Sequence, residues 1–104
     1  MVYHAATLYP NEEGVQFDET YYLQTHMPFV ESIWKQYGLL GWKTFKYPTA
    51  LDGSRSQYLI STQLEFENGE GLQKALQDPR TSKIFEDLPN FTNAQAVTLG
   101  GTQL

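Results

Sequence analysis

The chain has 104 residues, no cysteine, 40% hydrophobic and 14% aromatic residues, and a formal net charge of −5. That length supports one domain, and an ordinary apolar fraction excludes disorder as the main state. Without cysteine there is no disulfide framework and no thiolate metal site. An acidic chain also lacks the basic patch that nucleic-acid phosphates require, so no nucleic-acid partner is expected.

The first basic residue is Lys35. A secretory or transit segment needs positive charge near its start, so neither is expected, and the expected location is cytoplasmic. No apolar run approaches the ~18 residues of a membrane span, so no membrane partner is expected either.

Residues 2–9 are dense in β-branched and aromatic side chains and predict a strand, which Pro10, Asn11 and Gly14 interrupt. Asp18 has the character of a helix N-cap, with Glu19 in the first turn and Phe17 and Tyr22 at the spacing of a hydrophobic staple. The helical pattern runs to Tyr37 and stops at Gly38. Residues 40–47 predict a second strand, and Leu51-Asp52-Gly53-Ser54 a turn. Residues 58–66 alternate with period two and predict a third strand. Asn68 is placed to cap a helix through Gln77, which Asp78-Pro79 ends. Residues 81–87 allow one or two further turns, Leu88-Pro89-Asn90 is a break, and residues 94–99 predict the last strand before Gly100-Gly101.

The order β-α-β-β-α-β is the ferredoxin-like pattern of an α+β domain: a four-stranded antiparallel sheet with helices on one face. The opposite face should be polar if it meets water. Here Leu40 and Trp42 alternate with Gly41, Phe45 and Tyr47, and Val97 and Leu99 with Ala94 and Ala96, so both faces carry apolar groups. A second copy of the chain is the simplest cover, which makes a homodimer the expected assembly.

On a 3.6-residue wheel, Tyr22, His26, Phe29, Ile33 and Tyr37 share one side of the first helix. A buried imidazole needs hydrogen-bond partners, and the Tyr22 hydroxyl one turn earlier can supply one. Imidazole exchanges protons near neutral pH, so in a pocket His26 can act as general acid or base; in solid packing it is a satisfied core histidine. Pro28 removes the bond to the Gln24 carbonyl and disfavours helical angles at Met27. It either kinks the helix and opens space beside His26, or opens a second helical segment at its first turn.

The run Leu8-Tyr9-Pro10, then Phe17-Asp18, Tyr21-Tyr22, His26-Met27-Pro28, Gly38-Leu39 and Gly41-Trp42, with the later Leu88-Pro89-Asn90-Phe91-Thr92-Asn93, resembles the EthD family across nearly the whole chain. The resemblance implies a ferredoxin-like protomer that pairs into a dimeric α/β barrel, with a cleft between helix and sheet. It links the chain to breakdown of ethers such as ethyl tert-butyl ether, beside a monooxygenase system, and to relatives that act on polyketides or aromatic molecules. His26 matches the family's histidine and Tyr22 the second tyrosine of its pair.

Only two histidines, His4 and His26, are present, without metal-ligand spacing, and Gly69-Glu70-Gly71 does not extend to a dinucleotide fingerprint. No metal or cofactor is therefore expected. Glu12-Glu13, Glu65, Glu67 and Glu86-Asp87 are read as solvated charges, and Trp34 and Trp42 as core or interface aromatics. The expected activity is cofactor-independent proton transfer, of lyase, isomerase or oxidoreductase type, on a hydrophobic aromatic or polyketide-like molecule. His26 and Tyr22 are the candidate catalytic residues, and Phe29, Ile33, Tyr58, Ile60 and Thr62 the candidate substrate-binding ones. The alternative is a non-catalytic binding or accessory protein for a monooxygenase.

Overall fold

A computed structural model describes residues 2–104. Strand β1 (Tyr3–Pro10) leads into a helical run made of α1 (Glu19–Tyr21), a π-helical turn (Tyr22–His26), α2 (Met27–Trp34) and a 3₁₀ turn (Lys35–Tyr37). Strands β2 (Leu39–Lys46) and β3 (Tyr58–Phe66) follow, then α3 (Gly69–Gln77), α4 (Thr81–Glu86), a 3₁₀ turn (Leu88–Asn90) and β4 (Val97–Gly101). The sheet has the order β2-β3-β1-β4 and all its pairs are antiparallel, which is the ferredoxin-like topology the pattern predicts.

The helix ends form as the sequence dictates. The Asp18 carboxylate accepts from the Tyr21 amide at 3.0 Å, and Asn68 Oδ1 accepts from the Gly71 amide at 2.8 Å. The Phe17 and Tyr22 rings meet at 5.0 Å, closing the staple. Gly38 stops the run with φ 96°, a left-handed conformation that glycine adopts without a Cβ clash.

Two expectations change. The last strand starts three residues later than residues 94–99 and includes Gly100 and Gly101, which pair with Ala5 and His4. A Cβ on Gly100 would lie 2.8 Å from the Tyr3 hydroxyl, so glycine here permits close approach and does not end the strand. Ala94 is instead turned by Thr92, whose hydroxyl accepts from its amide. The second change concerns Met27, which keeps helical angles (φ −66°, ψ −39°) despite the following proline.

Cross-strand partners divide the sheet faces. Ala5, Leu64 and Trp42 share the face under the helices, with Thr7, Thr62 and Thr44 beside them. The open face carries Leu8, Ser61, Phe45 and Val97. Phe45 and Val97 are both exposed, and Leu40 sits at a register shift in β2 and is exposed too.

Candidate active site

Pro28 explains the local geometry of the first helix. It occupies the first turn of α2 and can donate no bond to the preceding turn. The preceding turn widens to a π-helix, and the Met27 amide bonds back to the Tyr22 carbonyl. An i→i+5 turn brings residues i and i+4 nearly into line. Tyr22 and His26 accordingly stack, with ring centroids 5.3 Å apart and planes 19° from parallel.

The π turn also rotates the helix face. Beyond His26 the buried residues of the run are Met27, Val30, Ile33 and Trp34, while Phe29 is only half-buried. The simple 3.6-residue wheel does not anticipate this, because it assumes one uninterrupted α-helix.

Tyr22 and His26 both border a cavity of about 280 Å³ between the sheet and the helices. Thr62 and Leu64 of β3 and Thr7 and Tyr9 of β1 form part of its floor; Met27, Val30 and Trp34 form part of its roof. Leu76 and Phe85 also line it and are exposed, and Thr98 and Gly100 of β4 border it, so it opens between the α3–α4 segment and the β4 edge.

Of the candidate residues named from the sequence, Tyr22, His26 and Thr62 meet at this cavity, whereas Phe29, Ile33, Tyr58 and Ile60 do not line it. Ile33 and Ile60 are packed in the core. Tyr58 borders a separate shallow depression with Pro10, Asn11 and Arg55. Each strand residue advances ~3.3 Å, so Tyr58 and Ile60 fall short of the Thr62–Leu64 stretch that reaches the cavity. Trp34 combines two roles, since it packs in the core and lines the cavity; Trp42 only packs against the core.

His26 Nδ1 lies 2.9 Å from Asp87 Oδ2. The imidazole is 3% exposed and the Asp87 carboxylate side chain 17% exposed. The structure overturns the expectation of a solvated Asp87: as the C-cap of α4 it meets the Tyr21 and His26 side chains of the first helical run. The Tyr21 hydroxyl donates to Asp87 Oδ1 at 2.7 Å and the Asn90 amide to the same oxygen at 2.8 Å. Burial pushes the Asp87 carboxyl up, but the bonds from Asn90, Tyr21 and His26 together hold it below the usual carboxylate range. Burial pushes the His26 imidazole down from its ordinary 6.5, and the hydrogen bond and charge of Asp87 only partly restore it.

Near neutral pH the pair is therefore a carboxylate beside a neutral imidazole. A carboxylate only accepts, so the proton sits on Nδ1 and Nε2 carries the free lone pair. Every fully buried side-chain nitrogen and oxygen among the described residues has a partner. Nε2, which has no partner among the described residues, thus meets the cavity.

Phe91, which belongs to the motif at residues 88–93, also reaches the site. Its ring lies 4.5 Å from His26 and 5.0 Å from Tyr22, and its carbonyl accepts from the Asp18 amide at 2.7 Å. The segment after α4 thus clamps the imidazole and the helix start together. On the other side, the Tyr22 hydroxyl is 2.5 Å from Thr62 Oγ1, which is 2.8 Å from Thr44 Oγ1. Burial raises the Tyr22 hydroxyl above its usual range, and the Thr62 bond partly opposes that. No cluster of three or more metal-ligating His, Cys, Asp or Glu side chains occurs among the described residues.

Comparison with solved structures places this geometry in a known fold. An EthD-like protein of Ralstonia eutropha JMP134 superposes with a TM-score of 0.85 at 21% identity, over 96% of this chain and 89% of that one. An ethyl tert-butyl ether D (EthD) family protein of Bacillus halodurans C-125 gives 0.77 at 20%, over 100% of both chains. This chain shares the ferredoxin-like fold of these two proteins. The ferredoxin-like fold that the sequence resemblance implies is therefore matched in three dimensions. SnoaB, a cofactor-independent oxygenase from Streptomyces nogalater, superposes more distantly, with a TM-score of 0.60 at 7% identity over 99% of this chain and 94% of that one. No protein-family model matches the chain, and neither does any curated protein. No helix among the described residues is long and apolar enough to cross a membrane.

Proposed function

We propose that the chain is an EthD-family enzyme that moves a proton on a hydrophobic small molecule without a cofactor. His26 Nε2 is the general base, Asp87 fixes its tautomer and balances the imidazolium that forms, and the Tyr22 hydroxyl holds or returns a proton on a neighbouring oxygen. The observation that carries this reading is the Asp87–His26 pair with its free nitrogen at the cavity wall. A positioned base of this kind contributes ~10²–10⁴-fold in rate. The naming of SnoaB as a cofactor-independent oxygenase supports chemistry without a prosthetic group on this fold.

The dyad also narrows the reaction. A base at Nε2 acts on an acidic C–H or O–H, which a phenol, an enol or a ketone's α-carbon offers. A dialkyl ether offers neither, so a link to ether breakdown places this step after the ether bond is cleaved. The assembly we propose is a homodimer closed through the open sheet face, with the cavity on the far side of each sheet.

The decisive experiment follows solvent deuterium entering the α-carbon of aromatic ketones by NMR. Wild type should exchange it and His26→Ala should not, with both proteins melting at similar temperatures. Saturable binding with no exchange in wild type would leave only a binding or accessory role. Unfolding of His26→Ala would return the imidazole to the status of a core residue.

A further inference from the structure

We infer that the His26 cavity selects ligands that are uncharged, and that it rejects carboxylates and phosphates of the same shape; this inference rests on the proposed use of that cavity. The lining contains Tyr, Thr, Gln, Ala, Gly, Met, Trp, Phe and aliphatic side chains with His26, and no Lys, Arg, Asp or Glu. No fixed cation therefore meets an anionic ligand. His26 does not supply one, because burial holds its imidazole neutral near pH 7. The ionised group held against the ring is the Asp87 carboxylate, whose field opposes a second negative charge.

An anion entering this space would lose its hydration and gain no counter-charge, which is the costly case of charge burial. Leu76 and Phe85 at the mouth extend the apolar path outwards. The polar groups inside, the Nε2 lone pair and the hydroxyls of Tyr22 and Thr62, are suited to a neutral carbonyl, enol or phenol. The volume of about 280 Å³ is nearly twice the ~150 Å³ of an apolar cavity that holds benzene. A substituted single ring therefore fits with room to spare.

The test uses a pair of one shape and two charges: acetophenone and benzoate, titrated into the full chain at pH 7.5 by calorimetry. The ketone should bind at least about tenfold more tightly, a ratio worth ~1.4 kcal/mol. Leu76→Arg puts a cation at the exposed mouth and should narrow or invert that ratio. Equal or tighter binding of the benzoate to wild type overturns the inference, and so does the absence of saturable ketone binding. Deuterium exchange decides the catalytic reading separately: a chain that prefers the ketone yet exchanges nothing keeps the selectivity and loses the enzyme.

Discussion

His26 Nδ1 and Asp87 Oδ2 stand 2.9 Å apart although 61 residues separate them in the chain. Replacing Asp87 with Asn keeps the shape of the acceptor and removes its charge. The amide can then turn its NH₂ to Nδ1, favouring the tautomer with the proton on Nε2, where a base must be bare. Asp87→Asn should fold and should lower kcat/KM by ~10²–10⁴-fold. It should also depress the imidazole further, because Asp87 is what pulls it back towards its ordinary value. Steady-state kinetics and an NMR titration of the ring protons check the two effects.

The same pair sets the pH behaviour. Activity needs neutral His26, so the rate should fall on the acid side, with a midpoint below the ordinary imidazole value of 6.5. Stability follows by linkage. As the pH drops below 6.5 the unfolded chain takes up the His26 proton first, so stability declines until the folded imidazole titrates too, and it is level above 6.5. A second decline begins near 3.8, where Asp87, Asp78 and Asp52 bind protons in the unfolded chain that the folded carboxylates still resist. Urea denaturation across pH 3–8 should show both steps, and His26→Ala should lack the upper one.

Gly71 makes a separate claim on stability. A Cβ there would stand 2.2 Å from the Tyr37 carbonyl oxygen, where α3 passes the end of the first helical run. Backbone cannot yield as a flexible side chain can. Gly71→Ala should therefore destabilise the fold by ~1–3 kcal/mol despite alanine's better helix propensity, as denaturant midpoints will show.

The residues that punctuate the chain made most of this fold legible. Asp18, Gly38 and Asn68 act locally, within one turn of their own positions, so their types announce helix ends directly. The alternation over residues 58–66 likewise reports a strand with one face buried. Three things were hidden. Asp87 and Phe91 reach His26 only because the chain folds back, and nothing near either residue marks it as a partner. The π turn shifts the buried face of α2 from Phe29 towards Met27 and Val30, and Pro28 signals a disturbance there without its sense. Gly100 and Gly101 read as a terminator, since the need for close approach to Tyr3 is tertiary.

The open sheet face carries the prediction about assembly. Phe45 and Val97 are exposed there, on the strands that flank the central pair. Val97→Lys leaves a single protomer nearly undisturbed but places a charge in any interface formed across this face. Sedimentation should find wild type as a dimer and Val97→Lys shifted to monomer with its far-UV spectrum unchanged. A monomeric wild type would remove the proposed homodimer.

Thr62 tests whether the Tyr22 hydroxyl matters beyond packing. Its Oγ1 joins Tyr22 to Thr44, so Thr62→Val keeps the shape and cuts the chain of three hydroxyls in the middle. The Tyr22 oxygen would then face a methyl group while remaining buried, at a cost of ~1–3 kcal/mol. Thr62 also partly opposes the burial that raises the Tyr22 hydroxyl, so its loss makes Tyr22 a weaker acid. If Tyr22 returns a proton during turnover, Thr62→Val should lower kcat while the acid midpoint set by His26 stays in place. Tyr22→Phe should lower it further with the same midpoint. A Thr62→Val variant that loses stability but keeps kcat would confine Tyr22 to stacking against the imidazole.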